Sequence, residues 1–361
     1  MSSTNKKFDL KKFKKIYIMV PANVSTGGPE ALHQLGFVLK NVLKKDIKIF
    51  YIPTDIQYPV HKNYKKYSLE FTDKIEDNSD NVLIVPEYYN FLKKTLNFKN
   101  IKKVIWWLSI DNYIGSRFRF ENSKILRSIY KLPFNSINFF NIITNFTFGI
   151  LTLEEYLKFL YNFKNLSQQK EIKQASFHFT QSYYAKNFLM NKLEFIEHLS
   201  DFIREDLLDN KNNLMTQKEN IICYNPQKSN LFMNLIIKKN DFKFIPLINL
   251  NNDQIINILS RSKIYMDIGS HPGKDRLPRE AALLGNCVIT NLKGSALNNK
   301  DISIPSEFKF RENYFNLKKI GEKIQLIFDD YENEFIKFHS YIEHISNEKD
   351  KFIEEVKKVF K

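Results

Sequence analysis

The chain has 361 residues, more than one ordinary core accommodates, so two domains of the usual size are expected. Its composition, 43% hydrophobic and 26% charged, is that of a globular protein and excludes a disordered or fibrous chain. A net charge of +15 favours anionic partners such as nucleotides, phosphorylated lipids, an acidic membrane surface or nucleic acid, although lysines scattered over a surface give the same sum.

The opening "MSSTNKKFDLKKFKK" carries charge but no apolar h-region, so no secretory signal is expected. No apolar run reaches the length of a membrane span, which points to a cytoplasmic protein. Cys223 and Cys287 both lie in apolar runs and read as buried thiols, not as a disulfide or a zinc site.

In chain order, "KKIYIMVPA" (14–22) reads as a buried parallel strand. It runs into "NVSTGGPEALHQLGFVLKNVL", where Gly27 and Gly28 make a turn, Pro29 suits a first helical turn, and Leu32, Leu35, Val38, Leu39 and Val42 recur at helical spacing. "DIKIFYIP" (46–53), "NVLIVPEY" (81–88) and "KKVIWWLSI" (102–110) are further strands. Such alternation predicts an α/β fold with an open, mostly parallel sheet. Between about 112 and 172 the pattern loosens into an aromatic-rich, helical insertion. The four asparagines at 135–145 argue against a spanning helix there, and the choice between a helical lid and an interfacial segment stays open. The segment 208–220 is polar and Asn-rich and reads as a linker, which bounds a first domain at 1–207. A second alternating series, "IICYNP", "FKFIPLIN", "KIYMDIG" and "CVIT", defines a second domain at 221–330, and 331–361 reads as a C-terminal helix.

Charge concentrates in "GSHPGKDRLPREAALLGNCVIT" (269–290), where a basic loop joins a strand to a short helix closed by Gly285. Such loops open at the carboxyl end of a parallel sheet, where ligands bind in this class of fold. Lys274, Arg276 and Arg279 would repel one another without an anion among them, and a diphosphate is the natural one. Asp275 offsets part of the charge, and Glu280, in the first helical turn, can accept from a ribose diol or simply complement the helix end. Neither G-x-G-x-x-G nor Walker A is present, which lowers the dehydrogenase and NTPase readings. No Asp-x-Asp pair or His/Cys cluster with ligand spacing appears, so neither a metal nor another cofactor is expected.

The strand, basic loop, "P-R-E-A" and "G-x-x-V-I" resemble the donor-binding segment of GT-B glycosyltransferases of the group-1 type, "P-x-E-A-x-x-x-G-x-P-V-I". The resemblance implies two Rossmann-like domains facing a central cleft, with C-terminal helices. It makes Glu280 the ribose ligand and Lys228, after "IICYNPQ", a ligand of the pyrophosphate, with Asn225 beside it. It sets "STGGPE", with Gly27 and Gly28, near the donor phosphate and acceptor, and Gly294 and Ser295 beside the same cleft. The family's second glutamate, eight residues before Glu280, is Pro272 here; His271 or Asp275 are its replacements, and a His-Pro pair also occurs in some CMP-sugar enzymes, so the nucleotide stays open. As general base for an acceptor hydroxyl the candidates are Asp111 and Glu87, both just past strands, and a retaining reaction requires neither. The resemblance therefore implies a metal-independent glycosyltransferase taking a nucleotide-sugar donor to a saccharide or lipid-linked acceptor in bacterial surface glycan synthesis. It would act in the cytoplasm, with peripheral contact to an anionic inner leaflet in view. A non-catalytic nucleotide- or glycan-binding relative is the alternative. Nucleic acid is not an expected partner, because the aromatics lie in apolar runs and no recognition motif is present.

Overall fold

The computed structural model describes residues 10–121, 166–214 and 217–360. The described chain forms two compact units: 10–121 with 166–202 and 349–360, and 203–214 with 217–348. Each is a parallel α/β sheet with helices around it.

In the first unit the strands are β1 (Lys15–Pro21), β2 (Asp46–Ile52), β3 (Phe71–Thr72), β4 (Asn81–Pro86), β5 (Lys102–Trp107), β6 (Phe177–Thr180) and β7 (Ile196–His198). They run parallel in the order β3-β2-β1-β4-β5-β6-β7. Apolar runs without alternation form these strands because both faces are covered: every residue of β4 is buried. Trp106 and Trp107 are adjacent in β5 and enter separate cores, Trp106 with Ile18, Val104 and Phe179, Trp107 with Met19, Leu83 and Ile105. Both indole N–H groups are satisfied, by the Leu199 carbonyl and by His178.

In the second unit β8 (Glu219–Tyr224), β9 (Lys243–Pro246), β10 (Ser262–Asp267), β11 (Cys287–Asn291) and β12 (Lys309–Phe310) run parallel in the order β12-β11-β10-β8-β9. Its core gathers Ile222, Ile264, Met266, Val288 and Ile289 with Phe232, Ile320 and Ile324 from flanking helices. Cys223 and Cys287 are buried thiols.

Two segments differ from their reading in the sequence. The stretch read as a linker at 208–220 is largely structured: a helix runs Glu205–Leu214 and β8 begins at Glu219, the chain having entered the second unit at 203. Its Asn content is compatible with helix because Leu207 reaches the second unit's core and anchors the turn. The segment 331–361 is no single helix. It breaks into Tyr331–Phe335, His339–Ser346 and Glu348–Phe360, and 349–360 group with the first unit. Phe352, Val356 and Phe360, at helical spacing, are buried against Trp106, Phe179 and Phe202. Most of the aromatic insertion expected at 112–172 lies outside the described residues. Its described start is the helix Ile110–Glu121. Among the described residues no helix is long and apolar enough to cross a membrane.

Candidate functional site

The strand order of the second sheet places its switch point between β8 and β10, and the loops after those two strands flank the crevice that such sheets offer to ligands. The loop after β8 is a tight turn. Asn225 Oδ1 accepts from the Gln227 N–H, and the Asn225 carbonyl accepts from the N–H groups of Lys228 and Ser229. The loop after β10 closes against it through a bridge between Ser229 and Gly269. Lys228 Nζ then donates to Asp275 Oδ1, so two loops 47 residues apart are joined by a charged pair. Burial would raise the Asp275 carboxyl, but Lys228 and His271 hold it down to about 2. Lys228 in turn is held above the ordinary lysine value by Asp275, against the opposing effect of burial.

Lys274 and Arg279, expected to need an external anion, have an internal one. Arg279 is 0% exposed. Its Nη1 donates to Glu348 Oε2 at 2.6 Å, and its Nε and Nη2 donate to the carbonyls of Asp275 and Lys274 at 3.0 Å each. Lys274, also buried, pairs with Glu348 Oε1 at 2.7 Å. These two side chains brace the loop from behind. Nothing local in the sequence links them to Glu348, which lies 69 residues past Arg279. Arg276 and Glu280 are only partly buried. Glu280 lies 3.8 Å from Arg204 Nε, a basic neighbour that sequence reasoning missed because it precedes the sheet in the chain.

Gly294 and Ser295 also serve the loop itself. The Ser295 N–H donates to the His271 carbonyl at 2.9 Å and its hydroxyl to the Gly273 carbonyl, so that N–H is not aimed at a ligand. Gly294 has φ +50, and a Cβ there would meet the His271 carbonyl oxygen at 2.0 Å. The helix Leu277–Leu283 begins with Pro278 in its first turn and ends at Gly285 with φ 84.

His271 is 1% exposed, enclosed by the protein around it. Its Nε2 donates to the Asp267 carbonyl at 3.1 Å; a carbonyl only accepts, so Nε2 carries the hydrogen. Nδ1 faces Asp267 Oδ2 at 3.8 Å and Asp275 Oδ2 at 3.6 Å. Burial lowers the imidazole's affinity for a proton, and Asp267 and Asp275 more than reverse this, so the position favours positive charge. The three side chains offer ligand atoms within 4.8 Å of one another, a grouping hidden in the sequence because none of the usual metal spacings is present.

In the first sheet the corresponding switch point lies between β1 and β4. Gly27 and Gly28 open the helix Gly27–Asn41 after β1, and a Cβ on Gly28 would touch Leu108 Cδ1 at 3.4 Å. Glu87, just past β4, is buried and accepts from the Leu108 N–H at 2.9 Å. Burial pushes its carboxyl up to about 7, against hydrogen bonds from Leu108, Asn112 and Ser109 that favour the charged form. It therefore holds the loop that carries Asp111, and does not itself face solvent. Asp111 is partly buried in the first turn of Ile110–Glu121 and accepts from the Tyr184 hydroxyl at 3.1 Å.

No protein-family model matches the chain, and no curated protein matches it in sequence. Solved structures do. A glycosyltransferase from Rickettsia africae aligns over 97% of this chain and 99% of its own, with TM-score 0.57 at 14% identity. Anabaena HepE, solved with UDP-glucose, aligns over 95% and 98% with TM-score 0.58 at 9% identity. Sucrose-phosphate synthase from Thermosynechococcus elongatus aligns over 96% and 95% with TM-score 0.52 at 11% identity. The chain has the two-domain, Rossmann-like fold of the GT-B glycosyltransferases.

Proposed function

We propose that this protein is a glycosyltransferase that moves a sugar from a nucleotide-sugar to a saccharide or lipid-linked acceptor. The observation that carries the reading is placement: Lys228 follows β8, and Arg276 and Glu280 follow β10, the two strands on either side of the switch point of the second sheet. Lys228 and Arg276 supply positive charge for a diphosphate, and Glu280 supplies the acceptor atoms for a ribose diol. In an enzyme of this kind the chemical barrier falls when charge building on the departing diphosphate meets fixed donors, and these side chains provide them without a divalent ion on the phosphates. Lys274 and Arg279 contribute indirectly, by fixing the loop through Glu348. In the first unit Asp111 is the base for an acceptor hydroxyl in an inverting transfer, positioned by Glu87 through the Leu108 loop. A role in bacterial surface glycan synthesis at the inner face of the membrane accords with the net charge of +15 and extends the same proposal.

The test is a thermal-shift panel of UDP, GDP, ADP, CMP and TDP on wild type and Glu280→Ala, followed by turnover with the matching sugars. HepE was solved with UDP-glucose, so UDP and its sugars come first. A nucleotide at 100 times its dissociation constant adds about 2.7 kcal/mol to wild type, and the variant loses most of that gain. Stabilisation without turnover of any nucleotide-sugar favours the non-catalytic reading. No stabilisation by any nucleotide removes the transferase reading and leaves only a glycan-binding relative.

A further inference from the structure

The cluster beneath the donor loop has a chemistry of its own. Asp267 ends β10, His271 follows four residues on and Asp275 four residues after that, and the loop between them folds the three side chains together. The Nε2 hydrogen of His271 is committed to the Asp267 carbonyl. In the neutral ring Nδ1 is then a lone pair, and it points at Asp267 Oδ2 and Asp275 Oδ2. Among the described residues none of these three atoms has a hydrogen-bond partner. Lys228 pairs with the other oxygen of Asp275 and leaves Oδ2 facing the histidine. With the ring neutral, three acceptors converge in a site where His271 is 1% and Asp267 3% exposed, an arrangement that is costly unless a proton or another cation lies among them.

A proton on Nδ1 supplies positive charge but no good hydrogen bond. At 3.6 and 3.8 Å both carboxylate oxygens are beyond hydrogen-bonding reach of it. Those separations are instead close to the edge of a coordination shell: ligand atoms at 2.0–2.2 Å from a tetrahedral ion lie roughly 3.3–3.6 Å apart. The backbone hydrogen bond at Nε2 is the arrangement that fixes the tautomer of a metal-bound histidine and aims its other nitrogen. One imidazole and two carboxylates suit a transition-metal dication such as zinc or manganese better than magnesium or calcium, which favour oxygen alone.

We infer that Asp267, His271 and Asp275 form a buried site for one divalent transition-metal ion, with His271 binding through Nδ1. The ion pins the loop 268–276 to the end of β10, below the residues proposed to meet the donor. It does not contact the diphosphate, and the inference holds whether or not the protein transfers a sugar.

The experiment uses the full chain. Metal content is measured by plasma mass spectrometry after purification without chelator. Chelator-treated protein is then titrated with Zn2+ and with Mn2+ by calorimetry, with melting temperature followed in parallel. The expected result is about one ion per chain, a melting temperature that rises with the ion, and binding weakened at least ~10-fold in His271→Gln and Asp275→Asn. Co2+ loaded into wild type gives a visible d–d absorption that His271→Gln loses. Failure of wild type to bind either ion stoichiometrically overturns the inference even if the variants do not fold. So does equal binding by folded variants, which makes the ions adventitious.

Discussion

Glu87 illustrates how a buried carboxyl acts on stability and function by separate routes. Its carboxyl titrates near 7 in the folded protein, against an ordinary value of 4.5, because burial disfavours the charge. The folded state therefore holds a proton that the unfolded chain releases between about pH 4.5 and about 7. Stability falls as pH rises through that window and levels off above it, by roughly 3 kcal/mol in all. Glu87→Gln keeps an acceptor for the Leu108 N–H and removes the titration. Urea unfolding at pH 5, 6 and 7.5 is expected to show the slope in wild type and a flatter profile in the variant; equal slopes would sink the assignment. Turnover separates the roles further, since a positioning residue leaves a substantial rate in the Gln variant while Asp111→Asn, if Asp111 is the base, lowers kcat by about 100-fold or more. Residue identity alone revealed that Glu87 and Asp111 follow strands. That one is sealed under the Leu108 loop is a tertiary fact with no counterpart in the local sequence. Arg279 is the same case: a cation beside a basic loop reads as a phosphate ligand until a glutamate 69 residues later meets it.

At the scale of elements, the loop after β10 is held by its neighbours more than by its own hydrogen bonds. Gly294 touches it from the next crossover, where its φ of +50 and the His271 carbonyl oxygen, 2.0 Å from where a Cβ would stand, leave no room for a methyl group. Gly294→Ala must displace backbone, at a cost on the order of 3 kcal/mol or more. Ser295→Ala removes one hydrogen bond to Gly273 and costs about 1 kcal/mol. Denaturant midpoints for the pair should fall in that order, and nucleotide stabilisation should disappear in Gly294→Ala before it does in Ser295→Ala. The reverse order would mean that the loop is not braced from this side. The loop and its charge were legible in the sequence as a strand, a tight turn and a short helix closed by Gly285, because apolar runs and turn residues are local signals. Which of its charged side chains are paired within the protein was not, because that depends on Glu348, Arg204 and the 3.6–3.8 Å geometry around His271.

For the whole molecule, the strand series predicted two parallel sheets, and the switch points of both follow from their strand orders. What the chain order concealed is where the C-terminus belongs. The helix Glu348–Phe360 begins with a residue that Arg279 and Lys274 bind in the second unit, and from Lys349 on it is part of the first. An amphipathic helix at the end of a chain reads as an appendage of the preceding domain. Here Phe352, Val356 and Phe360 complete the first unit's core instead. Phe352 is 5.4 Å from the Phe202 ring and 6.4 Å from that of Trp106, so truncating it opens a cavity against two aromatic partners. Phe352→Ala is expected to cost about 3–5 kcal/mol. Hydrogen exchange tells which unit bears the loss. Amides of β5 and β6 should exchange faster in the variant while those of β8 and β10 keep their wild-type protection, since the two sheets have separate cores. Faster exchange confined to β8 and β10 would place the helix with the second unit and contradict the assignment. Equal loss in both sheets would mean that the two cores unfold as one.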